Sequence, residues 1–101
     1  MNARVTESQF QDKVSDLART CGWWVMHHRV SLGTQAGWPD LTLIRGTELL
    51  FMELKTQTGR VSAAQADVHE RLIVAGQRVF VFRPSDFDEI HDLLRRRGGG
   101  R

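Results

Sequence analysis

Gly37-Trp38-Pro39-Asp40-Leu41-Thr42-Leu43-Ile44-Arg45-Gly46-Thr47-Glu48-Leu49-Leu50-Phe51-Met52-Glu53-Leu54-Lys55 is the stretch on which the reading of this chain turns. Gly33, Gly37 and Pro39 mark residues 31–39 as a loop. Two strand-like runs follow, 40–45 and 49–55, and Gly46-Thr47 between them reads as a tight hairpin turn. In the second run, alternation puts Phe51, Glu53 and Lys55 on one face and Leu50, Met52 and Leu54 on the other. Apolar residues on both faces predict a central strand covered on both sides.

Working outward, Thr6 and Gln9 have capping-box spacing, and Val5 and Phe10 stand where a hydrophobic staple would hold the helix entry. Phe10, Val14, Leu17 and Cys21 form one apolar stripe ending at Gly22. Glu7 extends that stripe back by one turn, whereas Asp12 and Asp16 lie off it. Residues 23–30 are rich in aromatic and β-branched side chains and read as a strand. On the other side of the hairpin, Ser62 and Gln65 repeat the capping-box spacing and open a helix to about Ala75, with Val68, Leu72 and Ala75 inward. Residues 79–82 form a short strand broken by Pro84. Ser85 is expected to cap a last helix that turns Phe87, Ile90 and Leu94 inward. The order is α-β-β-β-α-β-α, a mixed α/β sheet with helices on its faces. No repeat or internal boundary is visible, so residues 1–97 are expected to be one domain and 98–101 a disordered tail.

Charge needs to be read regionally. The 101 residues carry 14 Lys and Arg against 12 acids, a net +2, with a pI near 9.3. Arg95, Arg96, Arg97 and Arg101 fall in the last seven residues, so residues 1–94 hold 10 cations and 12 acids, a net −2. Composition alone therefore does not assign the body to nucleic acid. The longest apolar runs, 23–26 and 49–52, are too short to cross a bilayer, and charges near the N-terminus argue against an export signal. Cys21 has no second Cys to pair with and falls on the apolar helix stripe. A reducing, cytoplasmic setting without a membrane partner is the expectation.

Asp40 and Glu53 are close to equidistant from the Gly46-Thr47 bend, so a hairpin sets them opposite each other. Facing carboxylates repel unless a cation lies between them. Mg²⁺, a hard ion that takes one or two carboxylates and completes its shell with water and phosphate oxygen, suits such a pair. Lys55 shares the face of Glu53, where an ammonium can stabilise charge on a phosphate under attack.

Gly37-x-Pro39-Asp40, a spacer of 12 residues, Glu53-x-Lys55 and the downstream Ser62-x-x-Gln65 resemble the PD-(D/E)XK nuclease superfamily, and within it the virus-type replication-repair nuclease (VRR-NUC) domain. The resemblance covers roughly residues 5–82 and implies a restriction-endonuclease-like αβββαβα core. It further implies that Asp40 and Glu53 hold Mg²⁺ or Mn²⁺, with the Leu54 backbone carbonyl as a third ligand. Lys55 would be the catalytic lysine, Gln65 would orient it or a water, and Glu7 would complete the site as catalytic residue or ligand. The implied activity is hydrolysis of DNA phosphodiesters, and small stand-alone members resemble dimeric enzymes that cut branched DNA, including four-way junctions. A C2 homodimer matches the two-fold symmetry of such a junction.

Simpler readings stand beside these. Asp40 also suits a turn after Pro39, Glu53 and Lys55 an exposed strand pair, and Gln65 the capping box alone. Glu7 also complements a helix dipole, and Arg95 to Arg97 sit where a helix C-terminus favours cations. Trp38, Arg60, Arg95, Arg96 and Arg97 are candidates for DNA contact. His27 and His28 are adjacent on a strand and point to opposite faces, so they do not form a joint metal site. A non-catalytic DNA-binding module of the same fold is the alternative function, and a protein-interaction domain a third class, distinguished by the lack of salt-dependent DNA affinity.

Overall fold

The computed structural model describes residues 4–28 and 36–96. Helix α1 (Glu7–Thr20) leads into strand β1 (Trp24–His27), then β2 (Leu41–Arg45), β3 (Glu48–Leu54), α2 (Ala63–Val74), β4 (Arg78–Phe82) and α3 (Phe87–Arg95). The sheet order is β1-β2-β3-β4, with β1-β2 and β2-β3 antiparallel and β3-β4 parallel. α2 makes the crossover that a parallel pair requires. The mixed sheet, with β3 central, agrees with the sequence reading.

Local chemistry accounts for the boundaries. Thr6 and Ser62 both form complete capping boxes, with Gln9 and Gln65 respectively. Gly46 turns the β2–β3 hairpin at φ +60°, the left-handed value that a type II′ turn needs at its first position. The core lies between one sheet face and α1 with α3: Leu41, Leu43, Leu50, Met52 and Leu54 meet Phe10, Val14, Ile90 and Leu94, all buried. Phe51 and Glu53 point to the opposite face, where α2 supplies buried Val68 and His69.

Several expectations are corrected. Ser85 does not cap the last helix; it lies in a 3₁₀ turn over Pro84–Asp86, and Asp86 occupies the cap position of α3. Ser85 instead bonds Gln57 twice, through its hydroxyl at 2.9 Å and its N–H at 3.1 Å. Ala75 is exposed, because α2 ends at Val74 and Ala75 is its C-cap; Val68 and His69 are the residues of α2 that are buried. Glu7 is exposed, and the inward stripe of α1 begins one turn later at Phe10. β1 spans Trp24–His27 and His28 is already outside it, while residues 29–35, 98–101 and Arg97 lie outside the described residues. No helix among the described residues is long and apolar enough to cross a membrane.

Arg45 fastens the hairpin end. Its guanidinium donates to the Cys21 carbonyl at 3.0 Å, the Leu94 carbonyl at 2.9 Å, the Arg96 carbonyl and Glu48, and stacks 4.4 Å over Trp23. One cation thus satisfies carbonyls at the C-terminal ends of α1 and α3, the end of a helix that favours positive charge.

Gly37 fastens the other end. At φ +95° it lies so close to the first turn of α2 that an added Cβ would stand 2.3 Å from the Ala64 carbonyl oxygen. Gly37→Ala is therefore expected to lose about 2–4 kcal/mol, combining backbone strain with overpacking. Gly46→Ala, with nothing within 4 Å of its Cβ, should lose only the backbone part, about 1–2 kcal/mol. Urea denaturation of the two variants measures the difference.

Candidate active site

The register Leu41↔Met52 places Asp40 opposite Glu53, as the turn arithmetic predicts. Asp40 is aimed by the backbone, its Oδ2 accepting the Leu54 N–H at 2.8 Å. Glu53, at 0 % exposure, is held by three side chains. Gln65 Nε2 donates to Oε2 at 2.9 Å, Lys55 Nζ lies 3.9 Å from the same oxygen, and His69 Nε2 lies 3.4 Å from Oε1. Gln65 serves two roles at once, since its Oε1 accepts the Ser62 N–H at 2.9 Å to complete the capping box.

The electrostatics follow from this packing. Burial, then the charge of Asp40 and a hydrogen bond between the two carboxyls, push Glu53 up from 4.5 to about 8, against the opposing pull of Lys55. Glu7 adds a smaller push, so its charge reaches the site although its side chain is exposed and accepts from Gln11 at 3.4 Å. Burial and then the Lys55 ammonium lower the pKa of His69, partly offset by Asp40. A neutral imidazole with its proton on Nε2 is the form that donates to a Glu53 carboxylate.

These residues suit a hard divalent cation. Among the described residues no group of three or more His, Cys, Asp or Glu side chains is arranged as a metal cage. What is present is a pair of apposed carboxyls, in which burial and the charge of Asp40 suppress the ionisation of Glu53, an oxygen-only donor set that a bound Mg²⁺ or Mn²⁺ would relieve. The Leu54 carbonyl belongs to the residue whose N–H holds Asp40, at the end of β3.

Other candidates are distributed differently. Trp38 is part-exposed on the loop that carries Asp40, and Arg60 is exposed on the connection between Lys55 and Ser62. Arg95 and Arg96 are exposed where α3 meets Arg45, five strand residues from Asp40, or about 17 Å along the sheet. The structure does not bring them to the carboxylates, and Arg97 lies outside the described residues. His69 is the site residue that the sequence reading missed. Its signal was its i+4 spacing from Gln65 beside Val68, which puts both polar side chains on the inward face of α2.

Because the Glu53 pKa is raised on folding, the folded state holds a proton that the unfolded state releases above 4.5. Its contribution is complete below that pH and is lost as the pH rises through about 8. Thermal melts of chelator-treated protein should show wild type losing Tm relative to Glu53→Gln between pH 5 and 8, by about 4–8 °C for each kcal/mol of penalty that the amide avoids. Added Mg²⁺ should raise the wild-type Tm, more at pH 8 than at pH 6, and leave Glu53→Gln nearly unmoved.

No family model and no curated protein matches the sequence. Solved structures do. One described as a VRR_NUC domain superposes with a TM-score of 0.73 at 25% identity, over 89% of this chain and 95% of that one. A VRR_NUC domain protein gives 0.73 at 21% identity, over 92% and 88%. Archaeoglobus fulgidus Hjc, a Holliday junction resolvase from an archaeal hyperthermophile, shares the fold at 0.51 and 18% identity, over 73% and 64%. With its four-stranded mixed sheet, three helices and this structural agreement, the chain has the restriction-endonuclease-like fold of the VRR_NUC domain structures it is similar to.

Proposed function

We propose that this domain is a Mg²⁺- or Mn²⁺-dependent endonuclease that hydrolyses DNA phosphodiester bonds, selective for branched DNA such as four-way junctions. The observation that carries this reading is the Asp40–Glu53 pair, both carboxyls braced and Glu53 buried, with Lys55 Nζ 3.9 Å from Glu53 Oε2. Asp40 and Glu53, joined by the Leu54 carbonyl, would hold the cation. When bound, the cation supplies Lewis acidity toward phosphate oxygen and makes water a better nucleophile. Lys55 stabilises negative charge gathering on the phosphate, at a position where its ammonium is only 12% exposed and so weakly screened. Gln65 and His69 fix the Glu53 carboxylate, one on each oxygen. Glu7, at the edge of the site, tunes its potential.

Selectivity for junctions is supported by the likeness to a Holliday junction resolvase and by symmetry, since two sites related by a two-fold axis match paired cuts. We infer a homodimer on the same grounds. Trp24, Met26 and Ile44 share one sheet face by register and are exposed, an apolar strip of the kind that subunits cover. We further infer a cytoplasmic enzyme with a role in DNA repair or recombination, a reading that follows from DNA as the proposed substrate.

Purified protein incubated with a four-way junction, a flap and a plain duplex, in Mg²⁺ or Mn²⁺, tests the proposal. Cleavage of the branched substrates is expected, and Asp40→Ala or Lys55→Ala should slow it by about 10²–10³-fold. Metal-independent binding without cutting would replace the enzyme with a DNA-binding module of the same fold.

A further inference from the structure

The loop that delivers Asp40 also delivers Trp38, and the catalytic arrangement leaves its indole unused. That ring is held firmly. Its Nε1–H donates to His28 Nε2 at 3.2 Å, and it makes edge-on contacts with His28 at 6.0 Å and Phe51 at 5.8 Å. Thr42 Oγ1, 3.0 Å from the same His28 nitrogen, steadies the imidazole. The indole is nonetheless 38% exposed, and with its N–H engaged the surface it shows is aromatic.

That surface borders a cavity of about 400 Å³ between the loop and α2. Val68 and Leu72 give it an apolar wall, and Asp67 with Arg71, paired at 3.0 Å, give it a polar rim. The volume is in the range of small-ligand sites, with few polar groups against apolar walls. The Asp67–Arg71 pair is exposed, so exchanging its carboxylate for a phosphate costs Arg71 little. Trp38 and Asp40 are two residues apart, at most about 7 Å of chain, a span that matches the axial rise of roughly two stacked nucleotides at about 3.4 Å each.

We propose that this cavity receives one unstacked nucleobase of the DNA, lying on Trp38 against Val68 and Leu72, with Arg71 on a flanking phosphate. The base belongs to a nucleotide within about two steps of the phosphate at Asp40 and Glu53. This proposal rests on the reading of DNA as substrate and deepens it: selection acts on an unpaired or easily extruded nucleotide beside the cut. Extrusion is least costly where a base already lacks a partner, as at branch points and bulges. Aromatic stacking tolerates any base, so the preference is for structure rather than sequence.

Equilibrium binding to a duplex with a single-nucleotide bulge and to the same duplex without it tests this, with Lys55→Ala as the parent so that DNA stays intact. The parent should prefer the bulge by roughly tenfold or more. Trp38→Ala should bring the ratio toward one, Trp38→Phe should keep most of it, and Leu72→Trp, which fills the cavity from the opposite wall, should abolish it with the Trp38 contacts left in place. A bulge preference that survives both Trp38→Ala and Leu72→Trp overturns the proposal. So does loss of preference in Trp38→Ala that sedimentation traces to dissociation of a dimer, because Trp38 would then be an interface residue. Cleavage by the wild-type chain is scored separately. No cutting of any DNA removes the nuclease reading while a Trp38-dependent bulge preference would stand, and cutting without that preference removes the base pocket alone.

Discussion

A carboxyl group with no exposure to solvent, set opposite a second carboxyl, is the constraint around which this domain is arranged. Burying Glu53 beside Asp40 is unfavourable by desolvation and by repulsion, and both effects appear in its raised pKa. Each nearby element answers one part of that penalty. β3 contributes a backbone N–H to Asp40, α2 contributes Gln65 and His69 to the two oxygens of Glu53, and Lys55 provides a nearby positive charge. The arrangement lowers the cost without cancelling it, which leaves the site receptive to a divalent ion.

The two ends of the sheet hold the helices by different means. At the hairpin end, Arg45 gathers carbonyls from the ends of α1 and α3, so a side chain does the joining. At the end that carries Asp40, Gly37 lets backbone meet backbone, and the loop carrying Trp38 and Asp40 rests directly on the first turn of α2. That contact relates Asp40 to Gln65 through a few bonds of main chain, with no flexible side chain between them.

Much of this was legible in the sequence because it depends on local rules. A two-residue turn at Gly46-Thr47 determines which residues face each other, so the Asp40–Glu53 pairing followed from counting. Apolar residues on both faces of residues 49–55 identified the central strand, and both capping boxes appeared as anticipated. The rest depended on tertiary packing. His69 looks like an ordinary polar residue of an amphipathic helix until α2 is docked over Glu53. Ser85 had the chemistry of a cap, but its hydroxyl is engaged by Gln57, and Asp86 takes the cap position after the 3₁₀ turn. Glu7 fitted the helical stripe, but the buried residues of α1 start at Phe10 and Glu7 stays in solvent. Arg45 carried no sequence signal, since its carbonyl partners come from segments 24 and 49 residues away.

Gln65 gives the domain a mechanical property. One amide ties off the start of α2 with its oxygen and grips Glu53 with its nitrogen, so fraying of the first helical turn also loosens one of the three side chains that hold the carboxyl. Helix ends open more readily than helix middles. The amide protons of that turn, followed by hydrogen exchange, therefore report how firmly Glu53 is held.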